Sequence, residues 1–270
     1  MIKLSGDLTE VLSKIPKTDD LLELDLSNYI THFKVFNINE FFSKMKNRIV
    51  SLVLPETIVE IVSGSKIEQK TKYLKRISGK NVLYIRDSAF YNCRSLKSID
   101  FPNVTNISYC AFQDCDSLKS VEFPNVNTIG EAAFYNCRSL ESINMPNVSI
   151  GDCAFMYCKS LESVKLPNVT SIGEYAFAHC ESLKSIKVPN VKNIGKVAFS
   201  DCLSLESIDL PNLKNLSDYT FCNCCSLKSI NIPKIYEVND TVFFQCTSLK
   251  TVNLYQIDEF MPGVCKELYD

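Results

Sequence analysis

The chain has 270 residues, 46% of them apolar and only eight glycines, which suffices for a large core and excludes a disordered chain. Its 29 basic and 31 acidic residues leave a formal charge of −2, so no global field draws in nucleic acid or anionic lipid. No apolar run approaches the ~18 residues of a membrane span, and "MIKLSGDLTEVLSKIPKTDD" lacks the continuous apolar centre of a secretory signal. Membrane insertion is therefore not expected. The expected location is cytoplasmic, with a peripheral cell-surface position as the alternative.

In chain order, residues 1–73 carry fragments of a pattern, "LLELDL" and "IVSLVLP", at irregular spacing. Within them "NINEFFSKMKNRI" reads as an amphipathic helix, with Asn39 as cap and Phe41, Phe42, Met45 and Ile49 facing inward. This stretch is expected to be an irregular N-terminal capping region with degenerate repeats.

From residue 74 to 263 the pattern becomes regular. Cys93, Cys115, Cys137, Cys158, Cys180, Cys202, Cys224 and Cys246 lie 22 residues apart, save one step of 21, and each follows a phenylalanine by three positions. The cysteines are thus a column of a tandem repeat and not a disulfide framework. One unit reads "IGEYAFAHCESLKSIKVPNV". Its Leu183, Ile186 and Val188 predict a short strand closed by Pro189, which lacks a ladder donor. Its "IGEYAFAHC" half predicts one turn of helix. Gly130, Gly151, Gly173 and Gly195 stand just before it and suit a cap or a tight turn, and acids such as Asp152 and Glu174 follow beside the unpaired amides. Such a unit cannot bury its own apolar face, and stacking the units can. Residues 264–270 read as a truncated half-repeat, with Val264, Cys265 and Leu268 in the Ala, Phe and Cys columns.

The pattern L-x-x-I-x-L-P-N-V-x-x-I-G-x-x-A-F-x-x-C-x-S resembles the BspA-type leucine-rich repeats over residues 74 to about 265. It has one residue fewer between proline and glycine than the family's commonest form. The resemblance implies an α/β repeat solenoid: a right-handed coil with a parallel β-sheet on one face and short helical or 3-10 turns on the other. It also implies an interaction scaffold that binds a protein partner.

Candidate chemistry dissolves into the repeat. His179 precedes Cys180, but its column otherwise holds Asn92, Asp114, Asn136, Tyr157, Asp201, Asn223 and Gln245, a polar convex series. Cys180 reads as a core thiol and His179 as no base. Cys222, Cys224 and Cys225 lack the second pair or the histidines of a zinc set, and His32 is the only other histidine. No catalytic residue, cofactor or metal is expected. Asparagine follows proline from Asn103 to Asn212, which predicts an amide ladder between turns. That ladder makes the sequons at Asn103, Asn147 and Asn168 by-products of the repeat.

The strand face is left for function. A serine column, Ser98 to Ser229, runs between outward charges, and these segregate into a stripe of Glu141, Glu162, Lys165, Lys184, Lys187, Glu206 and Asp209. These seven are the candidate partner-binding residues of a chain expected to act as a monomer. The competing reading is a solvated face whose charges pair from rung to rung. A structural or regulatory intracellular repeat protein is the alternative function, followed by a hydrolase or accessory activity in the N-terminal region.

Overall fold

The structure, a computed structural model, describes residues 2–3, 15, 21–28, 34–44, 48–63 and 71–254. The expected terminal half-repeat at 264–270, His32 and Met45 lie outside these residues. The chain winds into a parallel-strand solenoid of about nine turns. Each rung contributes a three-residue strand to one face, as in Ser163–Lys165 and Ser185–Lys187, which pair in parallel with Val164 opposite Ile186. The central residue points inward and its neighbours outward, because side chains alternate along a strand. Ile186 is buried between exposed Ser185 and Lys187.

After the proline corner the chain forms a second, two-residue strand. Asn106–Ile107, Thr128–Ile129, Ser149–Ile150, Ser171–Ile172 and Asn193–Ile194 belong to one eight-stranded parallel sheet on an adjoining face. The step of 21 residues is absorbed here, where Thr128 pairs with Ser149 and the register holds.

Both sheets continue across residue 73. Leu21–Asp25 and Arg48–Val53 join the first face, and Val35–Asn37 and Glu60–Val62 join the second. Among the described residues of this region the helix is Ile38–Lys44, shorter than the sequence pattern predicts. Its cap is Asn37, whose Oδ1 accepts the Glu40 amide at 2.9 Å, and not Asn39. Phe41 and Phe42 are buried, as is Ile49, which belongs to the following strand.

The third side of each rung is where a helical turn was expected, and the structure holds a run of tight turns instead. Amide hydrogen bonds explain the difference. The Tyr175, Phe177 and His179 amides donate to Lys196, Ala198 and Ser200 carbonyls of the next rung at 2.8–2.9 Å. The alternate amides of Ala178 and Cys180 reach back three residues to Tyr175 and Phe177. A helix would use every amide internally, whereas here half of them tie rung to rung. The geometry needs left-handed backbone twice per rung, and Tyr175 and His179 have φ of 55° and 58°. The Asn92-to-Gln245 column is therefore a column of left-handed residues, which Asn and Asp tolerate best. Most of its members are half-buried, not fully exposed on a convex surface.

The glycines serve close approach and not helix capping. A Cβ on Gly173 would lie 2.5 Å from the carbonyl carbon of Gly151, so the backbones of successive rungs touch there. The acids beside them accept hydrogen bonds from the next rung: Asp152 Oδ1 takes the Glu174 amide at 2.8 Å.

Inside, the phenylalanines stack nearly parallel from Phe90 to Phe243, with centroids 5.0–5.9 Å apart. Each cysteine thiol donates to the carbonyl of the preceding rung's phenylalanine. Cys180 Sγ lies 3.3 Å from Phe155 O, and Cys202 Sγ 3.3 Å from Phe177 O. At the start of the column Thr71 Oγ1 takes the place of that carbonyl for Cys93, at 3.2 Å. The column thus requires a small side chain carrying a weak donor, which alanine or valine would not supply.

Phe177 stacks against Phe155 and Phe199 and has no exposed surface. Phe177→Ala is expected to cost about 3–5 kcal/mol, measured by denaturant unfolding. Hydrogen exchange should show protection lost first in the rungs beside residue 177, because each rung touches only its neighbours.

Gly173→Ala is expected to destabilise by roughly 1–3 kcal/mol through overpacking against backbone. Val197 is β-branched at φ 59°, so Val197→Asn should instead raise the melting temperature. Thermal denaturation of both variants against the wild type checks the pair.

Candidate functional site

The strand face presents its exposed residues in three parallel columns fixed at the spacing of the rungs. Serines from Ser98 to Ser229 form the middle column and keep it flat. On one side lie Lys119, Glu141, Glu162, Lys184, Glu206 and Lys228, just before each strand. On the other lie Asn144, Lys165, Lys187, Asp209 and Asn231, at each strand's end.

The seven predicted residues do share this face, but the structure sorts them into two kinds. Glu141 pairs with Lys119 Nζ at 3.2 Å and Glu162 with Lys184 Nζ at 2.9 Å. Glu206 pairs with Lys228 Nζ at 2.8 Å, and the bond from that ammonium holds its carboxyl below the usual carboxylate range. Asp209 Oδ1 accepts the Asn231 amide at 2.7 Å. Most of the stripe is therefore satisfied from rung to rung, two of its ion-pair partners being Lys119 and Lys228, which lie outside it. Lys165 and Lys187 are the exceptions. They sit directly opposite each other in register, and neither has a carboxylate within ion-pair reach among the described residues.

Beyond the proline corner the asparagine ladder is formed. The Asn103, Asn125, Asn190 and Asn212 amides each donate to a carbonyl one rung back, at 2.8–3.0 Å, and Asn168 donates to Asn147 Oδ1 at 2.8 Å. An open groove follows this ladder, lined by Asn81, Asn103, Asn125, Asn147, Thr105 and Asn127 among others.

On the turn side, His179 stacks on Tyr157 with centroids 4.5 Å apart, and its Nδ1 lies 3.6 Å from Asp201 Oδ2. Ser200 Oγ donates to the same carboxylate oxygen at 2.6 Å. The carboxylate is the middle member of this trio. A hydrolytic triad places the imidazole in the middle, between nucleophile and acid, so this arrangement activates no nucleophile. Cys180 is fully buried and bonded to Phe155 O, away from His179, and burial pushes its thiol well above the usual range. Among the described residues no cluster of three His, Cys, Asp or Glu side chains is placed to hold a metal.

The family model for the BspA type leucine rich repeat region matches residues 36–161 and 148–262, in six copies. The chain belongs to that family. Its match begins well before residue 74, in keeping with the sheets that cross that point. A leucine-rich repeat protein of T. pallidum is 26% identical, with a TM-score of 0.51 over 58% of this chain and 78% of that one. A leucine-rich repeat protein of Bacteroides ovatus is also 26% identical, with a TM-score of 0.47 over 85% of this chain and 78% of that one. No curated protein matches the chain significantly. Among the described residues no helix is long and apolar enough to cross a membrane.

The twelve described cysteines carry free thiols. Burial pushes the Cys93 and Cys158 thiols from the ordinary thiol range up to about 12. The native state thus holds its protons where an unfolded chain releases them. Stability from these thiols is fully present below pH 9 and is lost as pH rises through the folded values. Each such thiol is expected to cost up to about 1.4 kcal/mol per pH unit in that window. Urea unfolding of the wild type and Cys158→Ala at pH 8 and pH 10 checks this, the variant showing the shallower loss. At pH 8, a thiol reagent should react with the partly exposed Cys153, Cys222, Cys225 and Cys246 well before the buried thiols, and with thirteen thiols after denaturation.

Proposed function

We propose that this leucine-rich-repeat chain is a protein-interaction scaffold without catalysis, binding its partner through the exposed strand face. The observation that carries the reading is the serine column. It gives a flat strip of backbone and small side chains, flanked by ordered charges whose positions the rungs fix. Such a surface offers specificity through charge order more than through hydrophobic burial. No row of aromatic side chains runs along the strip, so it is unsuited to stacking bases. The chain acts as a monomer in this reading. Its free thiols suit a reducing compartment, which favours the cytoplasm over the cell surface.

The test fills the strip. A partner recovered on the immobilised wild-type protein, then purified, should bind Ser163→Arg/Ser185→Arg at least about tenfold more weakly, because two long side chains lift it off the face. Lys184→Glu/Lys187→Glu should slow association in a salt-dependent way. The melting temperature should hardly move, since exposed pairs contribute about 0–1 kcal/mol. A partner that binds both variants as tightly as wild type uses a different surface.

A further inference from the structure

The rung from Lys184 to Ser200 carries four lysines, Lys184, Lys187, Lys192 and Lys196, and no acid. Every other rung from Lys75 to Phe243, counted from the residue before its strand to its phenylalanine, has at least one carboxylate. Lys184 is neutralised by Glu162, and Lys196 stands between the Glu174 and Asp218 rungs, to which its own rung is bonded. Lys187 and Lys192 have no such compensation. They lie on either side of the Pro189–Asn190 corner, Lys187 ending its strand and Lys192 starting the second face.

Stacking doubles this pair. Lys165 is directly opposite Lys187 on the strand face. Lys214 follows Lys192 on the second face, its amide donating to the Lys192 carbonyl at 3.2 Å. One rung further, Lys234 Nζ donates to Asn212 Oδ1 at 2.6 Å and extends the edge. All of these lysines are exposed, and none has a carboxylate partner among the described residues. Like charges set directly opposite each other on neighbouring strands are destabilising, so this edge is costly for the fold when empty.

We infer that the corner formed by Lys165, Lys187, Lys192, Lys214 and Lys234 is a docking edge for an extended acidic segment of a protein partner. The inference rests on the scaffold reading above and names the chemistry its partner must carry. An extended peptide presents alternate side chains on one side about 6.7 Å apart, and rungs are about 4.8 Å apart. The flexible four-carbon lysine stems absorb that mismatch. The exposed amide groups of Asn168 and Asn190 along the corner can meet the segment's backbone.

The surroundings disfavour a sulfated or phosphorylated polymer. Glu206 and Asp209 lie on the next rung of the strand face and Glu174 and Asp218 on the turn side of neighbouring rungs. A uniformly charged polyanion extended over these rungs would meet them, while a segment with a few carboxylates would not. The edge also has no arginine, whose planar fork is the better match for phosphate and sulfate.

The test titrates the full chain with a twelve-residue peptide alternating glutamate and serine, its glutamine counterpart, and a charge-matched sulfated oligosaccharide. The glutamate peptide should bind and the glutamine peptide should not. Lys187→Gln/Lys192→Gln/Lys214→Gln should weaken glutamate-peptide binding at least about tenfold, and Lys75→Gln/Lys97→Gln/Lys250→Gln less than about twofold. The melting temperature of the first triple variant should be equal to or above that of wild type, since like-charge repulsion is removed.

No binding of the glutamate peptide, equal weakening by both triple variants, or tighter binding of the sulfated oligosaccharide would each overturn the inference. The Ser163→Arg/Ser185→Arg variant separates it from the broader reading. If that variant loses the purified partner while the lysine variant keeps both peptide and partner, the strand face is the binding surface and the lysine edge is not.

Discussion

The rest of the structure depends on the hydrogen bonding of one rung's backbone to the next. In a closed globule each element has several neighbours and a misfit can be shared among them. Here every amide that is not used in a local turn must find a carbonyl one rung away, so successive rungs must match atom for atom. That requirement sets the near-constant repeat length, brings glycine backbones into contact at Gly151 and Gly173, and forces left-handed backbone at residues as unsuited to it as Val197 and Tyr219. The phenylalanine stack and the cysteine column then follow, since identical side chains at identical heights have no freedom to interleave.

The same constraint governs the surface. Charges on the strand face meet across rungs, as Glu162 meets Lys184 and Glu206 meets Lys228. A residue's electrostatic neighbour is therefore found one repeat away in the sequence, not beside it. Position along the coil and position around it are independent coordinates, and binding specificity can be written in both.

Much of this was legible in the sequence, and the failures have physical causes. The solenoid, the phenylalanine spine, the asparagine ladder and the core role of Cys180 could be read because each is a column of one residue type. The turn side was misread as helix because left-handed backbone imposes no single residue type: Ser88, Ala132, Cys153 and Tyr175 share one conformation and little chemistry. The second sheet escaped because two-residue strands such as Thr128–Ile129 are too short to show alternation. Lys165 and Lys187, read from the sequence as outward-facing, are exposed, as are Lys192 and Lys214, which the sequence reading did not single out. Sequence places those behind a proline, and only the corner's geometry returns them to the same edge.

The cysteine column also bears on what happens when the protein fails. While the coil is wound, the column's thiols from Cys115 to Cys224 are buried, protonated and bonded to a carbonyl, so they are closed to oxidants and electrophiles. Once a rung opens, several thiols of ordinary acidity appear together on a flexible strand, near enough to cross-link with one another or with other chains. In the folded molecule the buried part of this column is chemically silent and in an opened one it is rapidly marked, so in an oxidising setting the persistence of this protein is governed by how often it opens and not by its equilibrium stability. The column that holds the coil together is also the one that makes its loss irreversible.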